Sequence, residues 1–130
     1  MNANERLIEV FDRGCRDGTE ILTPKECDLY TIQEFILDFE MSGLSGYLYN
    51  HLSDIGRIRA TADAMRRHDL TALARILGDA LRLFESYVAP DPPTTWNAVL
   101  RRYDPDKRLD TLSDEIRSLD DYGLADCGIV

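Results

Sequence analysis

The fold is decided by the stretch from Thr23 to Met41, TPKECDLYTIQEFILDFEM. Thr23 is suited to cap a helix, Pro24 fits the first turn, where its missing N–H would be unpaired anyway, and Glu26 can complete a capping box. The apolar residues that follow are spaced by three and four: Leu29, Ile32, Phe35, Ile36 and Phe39. This spacing predicts an amphipathic helix from Pro24 to about Met41.

Helical spacing also dominates elsewhere in the chain, and the alternation typical of strands is nearly absent. On the N-terminal side it predicts a first helix over residues 3–15. On the C-terminal side, the glycines of Ser42–Gly46 should interrupt the central helix before a short aromatic helix at Tyr47–Tyr49. Ser53 or Asp54 can then cap the next helix.

The second half of the chain predicts further helices on either side of the stiff break Pro90–Pro93, which no helix can cross. One helix is expected to start at Asp69 and to run to about residue 87. Two more are expected to start at Thr94 or Thr95 and at Asp104–Pro105, and a last short helix should lie around Tyr122. We therefore expect an all-α fold: one compact domain over residues 1–130, built from six to eight helices, with residues 1–19 as N-terminal helix and linker.

The composition excludes several classes of function. Asp and Glu total 24 against 15 Lys and Arg, a net charge of −9, which disfavours direct binding to nucleic acid or to an anionic membrane. No apolar stretch approaches the roughly 18 residues that a membrane span needs, and the N-terminus does not resemble a signal peptide. Three cysteines without CxxC spacing predict reduced thiols in the cytoplasm, and Cys27 is expected to be buried.

Motifs for catalysis or cofactor binding are not found in the sequence. It contains no phosphate-binding glycine loop, and its two histidines, His51 and His68, lack the spacing of metal ligands. We therefore expect no cofactor, no metal site and no enzymatic activity. The alternative is an uncharacterised enzyme that uses Glu34, Asp38 and His51 for acid–base chemistry.

The acidic residues are concentrated at the two ends of the sequence: residues 1–54, 55–103 and 104–130 carry net charges of −7, +3 and −5. Asp106, Asp110 and Asp114 recur every four residues, so on a helix they would share one face at steps of about 6 Å. Such a row resembles the phosphates of a nucleic-acid strand in sign and rough spacing. The alternative is a solvated helix face, partly neutralised by nearby Lys and Arg side chains.

The order of these signals resembles the bacterial DNA-mimic protein domain family over about residues 20–125. Within the family's central motif, matched here by Met41–Asn50, the shared residues are Gly43, Tyr47, Leu48 and Asn50, with Leu44 in place of Phe. Met41, Ser42 and Gly46 depart from the motif. The resemblance implies an all-helical fold, dimers, and acidic side chains that act as a DNA surrogate towards a DNA-binding repressor.

Charge and resemblance together predict a non-enzymatic interaction protein whose acidic face occupies the basic surface of a DNA-binding protein. The candidate partner contacts are Glu34, Asp38, Asp106, Asp110 and Asp114. The same charge would suit an immunity or antitoxin-like protein that neutralises a basic nuclease. Both hypotheses require that the arginines between residues 57 and 82 do not neutralise the acidic face.

Overall fold

A capping box starts the longest helix of the molecule, as the sequence predicts. In the computed structural model, which describes residues 1–129, the helix runs from Pro24 to His51. Thr23 Oγ1 accepts a hydrogen bond from the Glu26 N–H at 3.2 Å, and Glu26 Oε1 accepts one from the Thr23 N–H at 3.0 Å. Two donors that would otherwise be unpaired at the helix start are satisfied in this way.

This helix is broken once, at Gly43. Its φ of 68° and ψ of −170° lie in a region that is accessible almost only to glycine. The predicted interruption at Ser42–Gly46 is therefore confirmed, and it is confined to one residue. Beyond it, the Leu44 N–H donates to the Ser113 hydroxyl at 3.2 Å in a buried setting, which ties the kink to the last helix of the fold.

Six α-helices make up the fold, and no strand occurs within residues 1–129, so the all-α prediction is confirmed. They are α1 Ala3–Asp17, α2 Pro24–His51, α3 Ile55–Arg67, α4 Thr71–Arg82, α5 Trp96–Tyr103 and α6 Arg108–Ser118. The central helix α2 packs against α1, α3 and α6, and α4 packs against α3 and α6. None of the helices in this range is long and apolar enough to traverse a bilayer.

The core is formed mainly by aliphatic residues from all these helices, with aromatic side chains stacked along α2. The ring of Phe35 meets that of Tyr47 edge-on at a centroid distance of 4.8 Å, across the kink. A second aromatic cluster holds α5: the ring of Phe84 lies 6.1 Å from that of Trp96 and 5.6 Å from that of Tyr103. The kink and this cluster fix where α5 and α6 meet α2.

The prediction that Asp69 caps α4 is wrong. Asp69 has a φ of 63° and instead ends α3, because the Leu70 N–H bonds to Met65 O at 2.8 Å and the Asp69 N–H to Arg66 O at 3.2 Å. These two bonds are those of a Schellman motif, in which the residue after the helix adopts a left-handed conformation. The helix α4 also ends at Arg82, and the chain continues to Tyr87 in tighter turns.

The start of α6 also differs from the prediction. The helix begins at Arg108, and Asp104 lies before it as a buried cap whose two carboxylate oxygens accept the N–H groups of Arg108 and Leu109 at 2.6 and 3.0 Å. Asp106 therefore lies in the turn that precedes α6. The predicted caps Asp54 and Thr95 are confirmed, since each accepts the N–H three residues ahead.

Two further expectations are corrected. The last short helix is a 3-10 segment, Asp120–Asp126, in which Asp121, Tyr122 and Gly123 all have positive φ. Cys27 is exposed, because the buried face of α2 in this turn passes through Glu26 and Leu29 and leaves Cys27 on the outside.

The helix α1 is held on α2 by an ion pair at the capping box. The Glu26 carboxylate, 9% exposed, accepts from the guanidinium of Arg13, and Arg6 lies 3.5 Å from the same oxygen. The hydrogen bond from Arg13 and the backbone N–H of Thr23 lower the pKa of Glu26 from 4.5 to about 2. Glu26 therefore serves the cap of α2 and the docking of α1 at once.

We predict that Gly43→Ala lowers the free energy of unfolding by about 1–3 kcal/mol, because alanine is strained at a positive φ. A Cβ there would meet its nearest neighbours, Ser113 Oγ and Arg117 Nη2, only at 3.6 and 3.7 Å, so the loss reports backbone strain. Urea unfolding measures it. Gly78→Ala is the control: this glycine lies inside α4, and its replacement should raise stability by up to about 1 kcal/mol. Equal changes in the free energy of unfolding for the two variants would contradict the strained backbone conformation at Gly43.

We predict that Glu26 stabilises the fold above about pH 4.5 and that this contribution is lost as pH falls towards about 2, because the pKa of Glu26 is lower in the folded chain. Urea unfolding of Glu26→Gln should show reduced stability at pH 7 and a smaller difference from the wild type at pH 2.5. Glu20→Gln, at an exposed glutamate, is the control. A difference for Glu26→Gln that is the same at both pH values would contradict the ion pair.

Candidate protein-interaction surface

The predicted acidic residues of the C-terminal third are all exposed. Asp110 and Asp114 lie one turn apart on α6, and Asp106 lies in the turn before it. Within residues 1–129, Asp106 and Asp110 form no ion pair. Asp114 accepts from Arg117 at 3.0 Å, but its side chain is 78% exposed and that of Arg117 is 59% exposed, so solvent screens this pair.

Further carboxylates extend this surface beyond the predicted residues. Asp120, Asp121 and Asp126 follow α6, are exposed, and are likewise outside every ion pair of the described chain. We call residues 104–126 the acidic C-terminal segment. Its helical part has 11 residues and is therefore about 16 Å long. In the sequence, the net charge of −5 over residues 104–130 already indicated this segment. The predicted contacts Asp106, Asp110 and Asp114, however, did not include the acids after α6.

Glu34 and Asp38, the other two candidates, lie on α2 and face different surroundings. The Arg57 guanidinium of α3 donates to both carboxylate oxygens of Glu34 at 2.6 and 2.8 Å. Asp38 Oδ2 lies 2.6 Å from His51 Nε2, and the His51 ring lies 4.6 Å from that of Tyr47. The structure thus brings Asp38 and His51 together, whereas Glu34 is bound to a different group.

These contacts bear on the alternative of an acid–base enzyme. A general base needs a carboxylate or imidazole free to take a proton from a substrate. The Asp38 carboxylate could orient His51 as a base, but Arg57 binds both oxygens of Glu34, so the three residues are not joined in one acid–base group. Burial also raises the pKa of Tyr47 to about 12. The described residues also contain no cluster of three His, Cys, Asp or Glu side chains that could hold a metal ion.

The basic middle of the chain neutralises acids selectively. Arg57 binds Glu34, Arg67 binds Asp28 with two hydrogen bonds of 2.7 and 2.9 Å, and Arg75 binds Glu115 at 2.8 Å. The Arg67 guanidinium lowers the pKa of Asp28. The arginines between residues 57 and 82 therefore do reach carboxylates of α2, and they reach α6 at Glu115, while Asp106 and Asp110 remain without a cation among the described residues.

Residues Met41–Asn50, which we call the motif stretch, form a mixed aromatic and polar surface around the kink. Ser45 Oγ accepts the indole N–H of Trp96 at 2.9 Å, and the Tyr49 ring meets that of Trp96 edge-on at 5.6 Å. Tyr49 is 64% exposed and Met41 is 83% exposed. Gly46 is required for this geometry, since a Cβ there would lie 2.0 Å from Ser42 Cβ.

A family model supports the predicted resemblance. The model of the DMP19-like protein family matches residues 20–126, so the chain belongs to this family, whose name denotes a DNA mimic protein. The family is not a known enzyme family. Searches of curated protein sequences and of solved structures gave no match. The matched region contains the kinked α2, the motif stretch and the acidic C-terminal segment.

We predict that the two groups of acids differ in their effect on folding. Glu34→Gln should lower the free energy of unfolding by about 0.5–1 kcal/mol, because it weakens a partly exposed ion pair that joins α2 to α3. Asp110→Asn should change it by less than about 0.5 kcal/mol, since Asp110 has no cation to lose. Thermal or urea unfolding of both variants measures the difference, and a larger loss for Asp110→Asn would contradict the assignment of the ion pairs.

Proposed function

We propose that the protein is a non-enzymatic DNA mimic that binds the basic DNA-binding surface of a protein partner. The observation that carries the proposal is the acidic C-terminal segment, where exposed carboxylates remain unpaired although arginines elsewhere in the chain are largely bound. Membership of the DMP19-like family supports it. A cytoplasmic location, as the cysteine pattern predicts, and a homodimer, as the resemblance implies, are part of the same proposal.

The chemistry of the segment suits a groove that binds phosphates. Such a groove presents Lys and Arg side chains towards a row of negative charges, and the carboxylates of Asp110 and Asp114, one turn apart on α6, offer the same sign at comparable spacing. Because α6 is packed against α2 and α4, the partner would not have to order these carboxylates on binding. Long-range attraction would accelerate association and make affinity dependent on salt.

The five predicted contacts are proposed to contribute unequally. Asp106, Asp110 and Asp114 can contribute nearly their full charge to a partner, because none of them is held in a shielded ion pair. Glu34 and Asp38 can contribute less, because Arg57 and His51 offset their charges. A basic nuclease would present a similar surface, and the activity of the bound partner separates the immunity hypothesis from the transcriptional one.

We predict that the triple variant Asp106→Asn, Asp110→Asn, Asp114→Asn weakens partner binding at least about tenfold, since each lost charge contact is worth about 1 kcal/mol or somewhat less. The partner is captured from the native cell on immobilised wild-type protein at low salt, identified, purified and measured by calorimetry. The matched control, Glu5→Gln, Glu20→Gln, Glu85→Gln, removes the same net charge from elsewhere and should change affinity less than about twofold.

Competition with DNA completes the test. The partner should bind duplex DNA, and duplex DNA should displace it from the protein. Affinity for the protein should fall as salt is raised from low to physiological strength. The proposal is overturned if the triple variant and its control behave alike, or if DNA and the protein bind the partner simultaneously.

A further inference from the structure

A cleft between α2, α5 and α6 combines apolar side chains with two exposed cations in this otherwise acidic protein. It has a volume of about 510 Å³ and lies beside the kink of α2, within the roughly 300–1,000 Å³ typical of sites for small molecules. Leu100 and Leu109 provide apolar lining, Ser45 contributes a hydroxyl group, and the charged side chains Arg101, Lys107 and Asp110 also line it.

The cations of this cleft are unpaired, unlike most others in the described chain. Except for Arg59, the arginines of α1, α3 and α4 are bound by carboxylates, as in the pairs Arg13–Glu26, Arg57–Glu34 and Arg75–Glu115. Neither Arg101 nor Lys107 is in an ion pair within residues 1–129, and both are exposed. A protein with net charge −9 thus leaves two cations available at one apolar cleft.

The cleft is also lined by two carboxylates, Asp104 and Asp110, which offset the formal charge of these cations but form no ion pair with them. Both oxygens of Asp104 are used by the N–H groups of Arg108 and Leu109. Asp110 is not in an ion pair with either cation. Lys107 moreover has a φ of 53° and a ψ of 40°, a left-handed conformation that is strained for a lysine.

We propose that this cleft binds a small organic anion: a molecule with an apolar or aromatic body and one carboxylate, sulfonate or phosphate head. The body would contact Leu100 and Leu109, and the head would lie between Arg101 and Lys107. Charge complementarity selects an anion, and the volume limits the ligand to the size of a metabolite. Asp110 belongs to both this cleft and the acidic C-terminal segment, so an occupant would add negative charge beside that segment.

The test uses 1-anilinonaphthalene-8-sulfonate as the probe, with N-phenyl-1-naphthylamine as the matched neutral compound that lacks the sulfonate. The chain has one tryptophan, Trp96, which bonds to Ser45 at the cleft, so energy transfer from Trp96 reports that the probe is bound, and the variants described below locate it. We expect saturable transfer with the anionic probe and binding at least about fivefold weaker for the neutral one.

Variants separate the cleft from general charge effects. Arg101→Gln with Lys107→Asn should weaken the anionic probe about fivefold or more, and asparagine tolerates the left-handed backbone at position 107. The control, Lys25→Gln with Arg59→Gln, removes two exposed cations elsewhere and should change affinity less than about twofold. Asp110→Asn should strengthen probe binding, which is the opposite of its expected effect on the DNA-binding partner.

Three results would overturn the proposal: equal affinity for the charged and neutral probes, an unchanged affinity in the cleft variant, or the same loss in the cleft variant and its control. The single variant Arg101→Gln leaves the loop at Lys107 unchanged and therefore controls for misfolding. It should show part of the loss of probe affinity that the double variant shows. Failure of this proposal leaves the proposed DNA mimicry untouched, because the partner test uses neither Arg101 nor Lys107.

Discussion

The pairing of arginines from α3 and α4 with carboxylates of other helices decides where negative charge remains on this protein. Arg57 and Arg67 bind Glu34 and Asp28 of α2, and Arg75 binds one carboxylate of α6. These ion pairs join helices that are distant in sequence, and they leave the N-terminal acids partly neutralised. Unpaired carboxylates also occur elsewhere on the described chain, but they are most closely spaced in the acidic C-terminal segment, and this uneven distribution is the basis of the proposed function.

The kinked helix α2 places this segment. Gly43 redirects the chain, so that Leu44 can bond to Ser113 of α6 and Ser45 can bond to Trp96 of α5. The bond from Leu44 to Ser113 positions α6, which carries Asp110 and Asp114. The bond between Ser45 and Trp96 lies beside the cleft with its two unpaired cations. One glycine conformation therefore helps to determine how the acidic segment and the cleft are arranged next to each other.

Local signals in the sequence were sufficient for the fold class, the central helix and several caps. Thr23, Asp54 and Thr95 act within three residues of their own positions, so the sequence alone identifies them. Asp69 could not be placed in this way, because a Schellman motif depends on how the preceding helix ends. Asp104 was also misplaced, since it caps α6 from four residues before its first residue.

For the candidate surface, the sequence predicted charge but not its neutralisation. The spacing of Asp110 and Asp114 correctly indicated one exposed helical face. The loss of effective charge at Glu34 depends on an arginine 23 residues away, and the contact between Asp38 and His51 depends on the path of α2 through its kink. Such pairs form only in the folded chain, and for this reason only the structure separates the neutralised candidates from those that remain unpaired.

A map of where a polycation binds tests the uneven charge distribution most directly. Amide chemical shifts of the ¹⁵N-labelled protein would be followed while hexa-arginine is added at low salt. The largest shifts should fall within residues 104–126 and should disappear when salt is raised, with smaller changes around Glu34 and Asp38. Shifts of similar size over the whole surface, or shifts concentrated on α1 and α2, would contradict the view that the C-terminal segment carries the accessible charge.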